Sequence, residues 1–154
     1  MKLYKLHKKQ ELGITKEEAW EFFSNPGNLP LITPPWLDFR ITSDENSEMY
    51  PGMIVTYTVS PFLNFRMRWV TEITHVKEPE YFVDEQRFGP YKFWHHQHKF
   101  TDIPGGVLVE DLVHYALPFD PISRIANELI VKNQLKEIFD FRREYLETTY
   151  GTQD

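Results

Sequence analysis

DPISRIANELIVKNQLKEIFDFRREYLETTY, residues 120–150, is the stretch on which the fold turns. Asp120 can cap a helix, Pro121 suits a first helical position, and Gly151 follows the end. From Val131 onward the pattern is amphipathic. Asn133, Lys136, Glu137, Asp140, Arg143, Glu144 and Glu147 share one face, and Val131, Leu135, Ile138, Phe139, Tyr145 and Leu146 share the other. Such a helix needs an apolar surface to lie on. Ile122, Ile125, Ala126, Leu129 and Ile130 form a second apolar arc, about half a turn away at ~100° per residue. A straight helix cannot bury both arcs against one surface, so a kink or a separate first turn is expected near residues 130–133. Arg142 stands in the middle of the apolar arc and requires a carboxylate partner or an anionic ligand there.

The surface for that helix comes earlier in the chain. Residues 2–9 alternate as a short first strand. Thr15, with Glu18 three positions on, makes a capping box for a short helix over 16–24, which ends at Asn25-Pro26-Gly27. Residues 28–35 hold three prolines and suit a brief helical turn. Strands are then expected over 37–43, 53–60, 65–76, 81–88, 91–101 and 107–117, with a polar connection at 44–52. Short connections between strands argue a meandering antiparallel sheet. The whole is a single α+β domain, residues 1–154, in which a curved sheet wraps the last helix and leaves room for a cavity.

Composition narrows the function classes. The formal net charge is -6, and without a basic stripe to neutralise phosphates nucleic acid is not an expected partner. There is no cysteine, so disulfide and thiol chemistry are absent. No apolar run is long enough for an integral membrane segment, and a soluble cytoplasmic chain is the expectation. Aromatic residues make up 16% of the chain, which suits a bulky core or a ring-lined cavity.

Particular motifs resemble a known family. They are Arg68-Trp69-Val70-Thr71-Glu72-Ile73-Thr74, Phe82-Val83-Asp84-Glu85-Gln86, Gly89-Pro90-Tyr91 with Trp94, His96, His98 and Phe100, and Leu117-Pro118-Phe119. With Gln134-Leu135 and Ile138 to Arg142, they are similar to the ligand-binding SRPBCC family, the polyketide cyclase-like branch of the START/Bet v 1-like helix-grip superfamily. The resemblance spans nearly the whole chain. It implies about seven antiparallel strands gripping a long C-terminal helix around an apolar cavity, two short helices after the first strand, and no defined ligand.

Strand alternation selects the candidate site. Trp94, His96, His98 and Phe100 share one face of their strand, and Val107, Val109, Asp111, Val113 and Tyr115 share one face of the next. Both faces are expected to point inward. For residues 82–87 the parity stays open: a tight turn at Gly89-Pro90 sets Glu85 beside Trp94, whereas a bulge turns Asp84 and Gln86 inward. Residues 26–36 and the turns at Asn64 and Gly89-Pro90 are expected to rim the entrance.

Three readings of the inward polar group compete. In one it is a structural network, with Asp111 holding a histidine and Arg142 neutralising a carboxylate. In the second, His96, His98, Asp111, Arg142 and Glu85 orient a small hydrophobic or amphipathic molecule (lipid, polyketide or aromatic-like). Trp36, Tyr57, Phe65, Trp69, Trp94, Phe100, Tyr115, Leu135 and Phe139 then contact its body. The third is chemistry: acid–base work by a His96–Asp111 pair in a cofactor-free cyclase, dehydratase or hydrolase, or a metal held by His96 and His98 with Asp111 or Glu85. His-x-His alone is a weak metal signal, so no metal and no cofactor are assigned from sequence. The ligand-binding reading is the expectation. A partner-regulating module using exposed apolar residues such as Phe62 and Leu63 is a further alternative.

Overall fold

The computed structural model describes residues 1–43, 48–62 and 64–152. The expected connection at 44–52 lies partly, and Leu63 wholly, outside them. Seven antiparallel strands form one sheet: β1 (Tyr4–Leu12), β2 (Arg40–Ile41), β3 (Met53–Phe62), β4 (Phe65–Lys77), β5 (Tyr81–Phe88), β6 (Phe93–Ile103) and β7 (Gly106–Ala116). Their order across the sheet is β1-β7-β6-β5-β4-β3-β2. Apart from the β1–β7 pairing each strand lies beside its sequence neighbour, as a meander requires. Register shifts between Val59 and Phe62 and at two places between β4 and β5 add local twist, which helps curl the sheet into a half-cylinder. At the junction of β1 and β7 the backbones approach closely: a Cβ on Gly106 would lie 2.1 Å from the carbonyl oxygen of Leu12, so glycine alone fits.

The first helix, α1 (Lys16–Phe23), starts as its sequence predicts. Thr15 Oγ1 accepts from the Glu18 N–H at 3.1 Å, and the Thr15 N–H donates to Glu18 Oε2 at 2.8 Å. Its face of Ala19, Trp20, Phe22 and Phe23 is buried against Leu12, Phe100, Val107 and Leu146. Two 3-10 segments follow, Pro26–Ile32 and Pro35–Leu37. The expected strand over 37–43 is reduced to the two residues of β2. The cause is local: Leu37 closes a 3-10 turn and Asp38 takes a left-handed φ of 47°, so no extended segment can start before Arg40.

The C-terminal helical stretch consists of α2 (Ile122–Ala126), a π-helical segment (Asn127–Val131) and α3 (Lys132–Tyr150). Gly151, with φ 74°, ends it. Along α3 the buried positions are Leu135, Phe139, Arg142 and Leu146, the i, i+4, i+7, i+11 row that lies on the concave sheet face. The expected interruption is present as the π segment, slightly earlier than residues 130–133. It brings Asn127 fully inside, where the Tyr115 hydroxyl donates to its Oδ1 at 2.9 Å. Ile122, Ile125, Leu129 and Ile130 are correspondingly exposed, so the second arc meets solvent and not a second wall. Asp120 does not cap the helix; its carboxylate accepts from Arg124 Nε at 2.7 Å and Nη2 at 3.1 Å.

Candidate functional site

Between α3 and the sheet lies a cavity of about 420 Å³. Strands β3 and β4 supply Val55, Tyr57, Val59, Trp69, Thr71 and Ile73, the π-helical segment supplies Val131, and α3 supplies Leu135, Ile138 and Phe139. Pro26, Leu29, Ile32 and Thr33 close one side, and Pro61, Phe62, Pro90, Phe119 and Ile122 stand around the opening. Inward parity on β3 and β4 makes this wall almost wholly apolar, with rings in contact: Tyr57 stacks on Trp69 at 5.6 Å, and Trp94 meets Trp69 edge-on at 5.4 Å. Trp69 Nε1 is buried without a hydrogen-bond partner among the described residues.

The exception to this apolar wall is a polar cluster on β5, β6, β7 and α3. His96 and His98 are both buried, with ring centroids 3.7 Å apart. They lie between two carboxylates. His96 Nε2 is 2.8 Å from Asp111 Oδ1, and His98 Nε2 is 2.5 Å from Asp84 Oδ2. The second nitrogens lie farther off: His96 Nδ1 is 3.6 Å from Asp84 Oδ2, and His98 Nδ1 is 3.5 Å from Asp111 Oδ1, where it makes no hydrogen bond. Arg142 reaches in from α3, with Nη1 3.3 Å from Asp111 Oδ1 and its guanidinium over the rings of Phe23 and Phe139.

Electrostatics fixes the charge states of three of these groups. Burial pushes the Asp111 carboxyl up, but the Arg142 guanidinium and then His96 outweigh it and hold the group well below the usual carboxylate range. Burial likewise raises Asp84, and the two histidines bring it down. Both acids are therefore carboxylates, and the near nitrogens of His96 and His98 are the donors. Burial, reinforced by the neighbouring His96, lowers His98 to about 4 despite the Asp84 hydrogen bond, so His98 is neutral at pH 7. Tyr57 and Tyr91, half-buried at the cavity wall, are raised above the ordinary phenol value by desolvation.

Most residues singled out by alternation meet here. Tyr57, Trp69, Trp94, His96, His98, Leu135, Phe139 and Arg142 line the cavity. Asp111, Phe100 and Tyr115 are buried behind that wall. Asp111 backs His96, Phe100 packs on Phe23 and Trp20, and Tyr115 stacks on Tyr4.

Three placements are corrected. Glu85 faces outward, paired with His95 and 3.8 Å from Arg87 Nη2. The β5–β6 register sets Asp84 opposite His96, one residue away from that of a tight Gly89-Pro90 turn, and a one-residue shift exchanges the faces. The turn is looser because the Gln86 side chain occupies it, donating from Nε2 to the Tyr91 carbonyl at 2.6 Å and accepting the Tyr91 N–H at 3.1 Å. Phe65 has the inward parity but sits opposite Phe62 at the hairpin tip, 69% exposed and past the cavity. Trp36 lies in the second 3-10 segment, 39% exposed and away from the cavity. Of the expected rim, Pro26, Leu29, Ile32, Thr33 and Pro90 are at the cavity and Asn64 is not. Asp84 is the functional candidate that the tight-turn register displaced, and Phe39, Met49 and Tyr91 are wall residues given no role by sequence. The open parity of residues 82–87 already offered Asp84 as the alternative to Glu85, and only the turn length decides between them.

The sheet wrapped on a C-terminal helix around this cavity sets the comparison with known proteins. A family model described as polyketide cyclase / dehydrase and lipid transport matches residues 12–139. The chain belongs to that family. Structures similar to it include protein Ms6760 from Mycobacterium smegmatis (17% identity, 97% of this chain and 99% of the other, TM-score 0.66). Protein CV1439 from Chromobacterium violaceum is similar over 99% of this chain and 100% of the other, at 12% identity and TM-score 0.69. A START superfamily protein from Mycobacterium smegmatis is similar over 94% of this chain and 97% of the other, at 12% identity and TM-score 0.69. At these identities the likeness concerns the fold alone, which is the START/Bet v 1 helix-grip fold. Among curated proteins no match was found. No helix among the described residues is long and apolar enough to cross a membrane. Membership in the polyketide cyclase and lipid transport family carries a ligand-binding role in general terms.

Proposed function

We propose that the protein binds a small amphipathic molecule, a lipid, polyketide or aromatic-like compound, with its apolar body in the cavity and its polar end at the His96/His98/Asp84 wall. The observation that carries this reading is the pairing of an apolar 420 Å³ space with one buried, charged patch on a single side. The volume falls within the roughly 300–1,000 Å³ typical of small-molecule sites. Apolar area removed from water supplies affinity at ~25 cal/mol per Å², and the polar groups supply orientation. Trp69 Nε1, buried and unpaired, is a further donor for a ligand acceptor.

Titration with an anilinonaphthalene sulfonate dye, then displacement by fatty acids and by aromatic polyketides, tests the reading. One dye per chain with enhanced emission is expected. Val59→Trp, which puts a ring into the cavity, should abolish that signal. A dye signal unchanged by Val59→Trp would place binding elsewhere on the surface.

The carboxylate-paired histidines favour a second reading, acid–base catalysis on the bound molecule in a cofactor-free cyclase, dehydratase or hydrolase. His98, neutral at pH 7, has the protonation state of a base. Under this reading His98→Ala and His96→Ala abolish turnover while dye binding persists. Turnover that survives in both variants rejects it. A partner-regulating role through exposed Phe62 instead predicts normal association of a partner with the Val59→Trp protein.

A further inference from the structure

The buried cluster contains more negative charge than its fixed cation offsets. Two carboxylates, Asp84 and Asp111, share one guanidinium, and among the described residues Arg142 pairs with Asp111 and not with Asp84. Among the described residues the ion-pair partners of Asp84 are His96 and His98, and neither a lysine nor an arginine reaches it. A carboxylate with only 16% of its side chain exposed, at the wall of an apolar cavity, favours a cation beside it.

The directions of the ring nitrogens are the second observation. Both imidazoles present one nitrogen to Asp111 Oδ1 (His96 Nε2 at 2.8 Å, His98 Nδ1 at 3.5 Å) and the other to Asp84 Oδ2 (His96 Nδ1 at 3.6 Å, His98 Nε2 at 2.5 Å). With its proton on Nε2, His98 leaves Nδ1 buried and unpaired. With the proton on Nδ1, that N–H faces Asp111 Oδ1 from 3.5 Å, short of a hydrogen bond as the rings stand. Asp111 then stands behind both rings, 2.8 Å from His96 Nε2 and 3.5 Å from His98 Nδ1, and both inner nitrogens face the Asp84 oxygen. That is the arrangement in which a carboxylate orients metal-ligating histidines from behind.

We infer that Asp84, His96 and His98 form a binding site for a first-row divalent cation of the zinc type, with Asp111 and Arg142 as its supporting groups. The three donor atoms lie within 4.8 Å of one another. Zinc–ligand bonds of about 2.0–2.1 Å separate neighbouring donors by roughly 3.3 Å in a tetrahedral site. Two of the three separations, 2.5 Å from Asp84 to His98 and 3.6 Å from Asp84 to His96, bracket that distance. Two nitrogens and one carboxylate oxygen suit zinc, cobalt or ferrous iron better than calcium or magnesium. All three ligands line the cavity, so the fourth position opens toward it and accepts water or an oxygen of a bound molecule. The site stands on its own geometry, whether or not an organic ligand shares the cavity.

The test is titration of chelator-treated protein with Co²⁺, read by visible d–d absorption, followed by Zn²⁺ competition. One Co²⁺ per chain, displaced by one Zn²⁺, is expected. Asp84→Ala and His98→Ala should each remove the signal, and Asp111→Asn should weaken binding about 10–100-fold. His95→Ala, on the opposite face of β6, should leave it unchanged. Circular dichroism establishes that each variant is folded. Should a variant not fold, imidazole nitrogen shifts of the intact protein on adding Zn²⁺ decide: both buried rings must move. Absence of a stoichiometric Co²⁺ spectrum in the intact protein, or its persistence in folded Asp84→Ala, overturns the inference.

Discussion

The two ends of the space under the helix are built from the same kinds of residue and behave differently. At one end Leu12, Ala19, Trp20, Phe23, Phe100, Val107 and Leu146 fill the volume, with Trp20 edge-on to both Phe82 and Phe100. At the other end Val55, Tyr57, Trp69, Leu135 and Phe139 leave it open. The helix contributes equally apolar side chains to both, so hydrophobicity alone does not distinguish them. What differs is the opposite wall. Helix α1 covers the filled end, while the 3-10 segments and the π-helical stretch bridge the hollow end. Side chains facing a void lack partner atoms on one side and forfeit dispersion there. The fold is therefore anchored at one end and leaves the other for a ligand, with the charged cluster at the boundary.

The sharpest way to break this comparison is at that boundary. Arg142→Met leaves Asp111 buried against the histidines alone, and a loss of about 3–5 kcal/mol in urea denaturation is expected. A loss under about 1 kcal/mol would mean that Asp111 is solvated or protonated. Next in size, Leu146→Ala at the filled end should cost about 3 kcal/mol. Leu135→Ala at the hollow end should cost less, because it only enlarges an existing void. Equal losses would remove the distinction between the two ends.

The pH dependence follows from His98. Its folded pKa of about 4 lies below the unfolded value of about 6.5, so between those values the unfolded chain binds a proton that the folded chain does not. Stability is therefore fully present above pH 6.5 and declines as the pH falls toward 4. The decline amounts to at most about 3 kcal/mol, at 1.36 kcal/mol per unit. His98→Phe should flatten that slope; an unchanged slope assigns it to another group. The smallest effect is expected at Glu85, where Glu85→Gln should change stability by less than about 0.5 kcal/mol and dye binding not at all. A strong effect on binding would restore Glu85 to the cavity wall and shift the β5–β6 register.

Sequence periodicity located much of this. The capping box at Thr15 and Glu18, the inward faces of β6 and β7, and the need of Arg142 for a carboxylate are all local or strictly periodic properties, and they are found in the structure. The departures have local conformational origins. Gln86 folding into the β5–β6 turn exchanged Glu85 for Asp84, which changed the third member of the histidine cluster. A left-handed Asp38 cut the expected strand to Arg40 and Ile41, whereas the expected interruption of the last helix is present as the π segment, with Ile122, Ile125, Leu129 and Ile130 exposed. Phe65 had the right parity at the wrong end of its strand, because alternation does not tell how far a hairpin extends beyond the element it covers. The cavity itself was a matter of resemblance and aromatic content, since a void has no sequence signature of its own.

Native mass spectrometry of the protein freshly purified from its own host, followed by denaturing extraction, tests the central claim most directly. The account predicts one small organic molecule per chain, released on denaturation and absent from the Val59→Trp protein. Protein that carries no such molecule, and takes up none when offered lipids and aromatic polyketides, would contradict it.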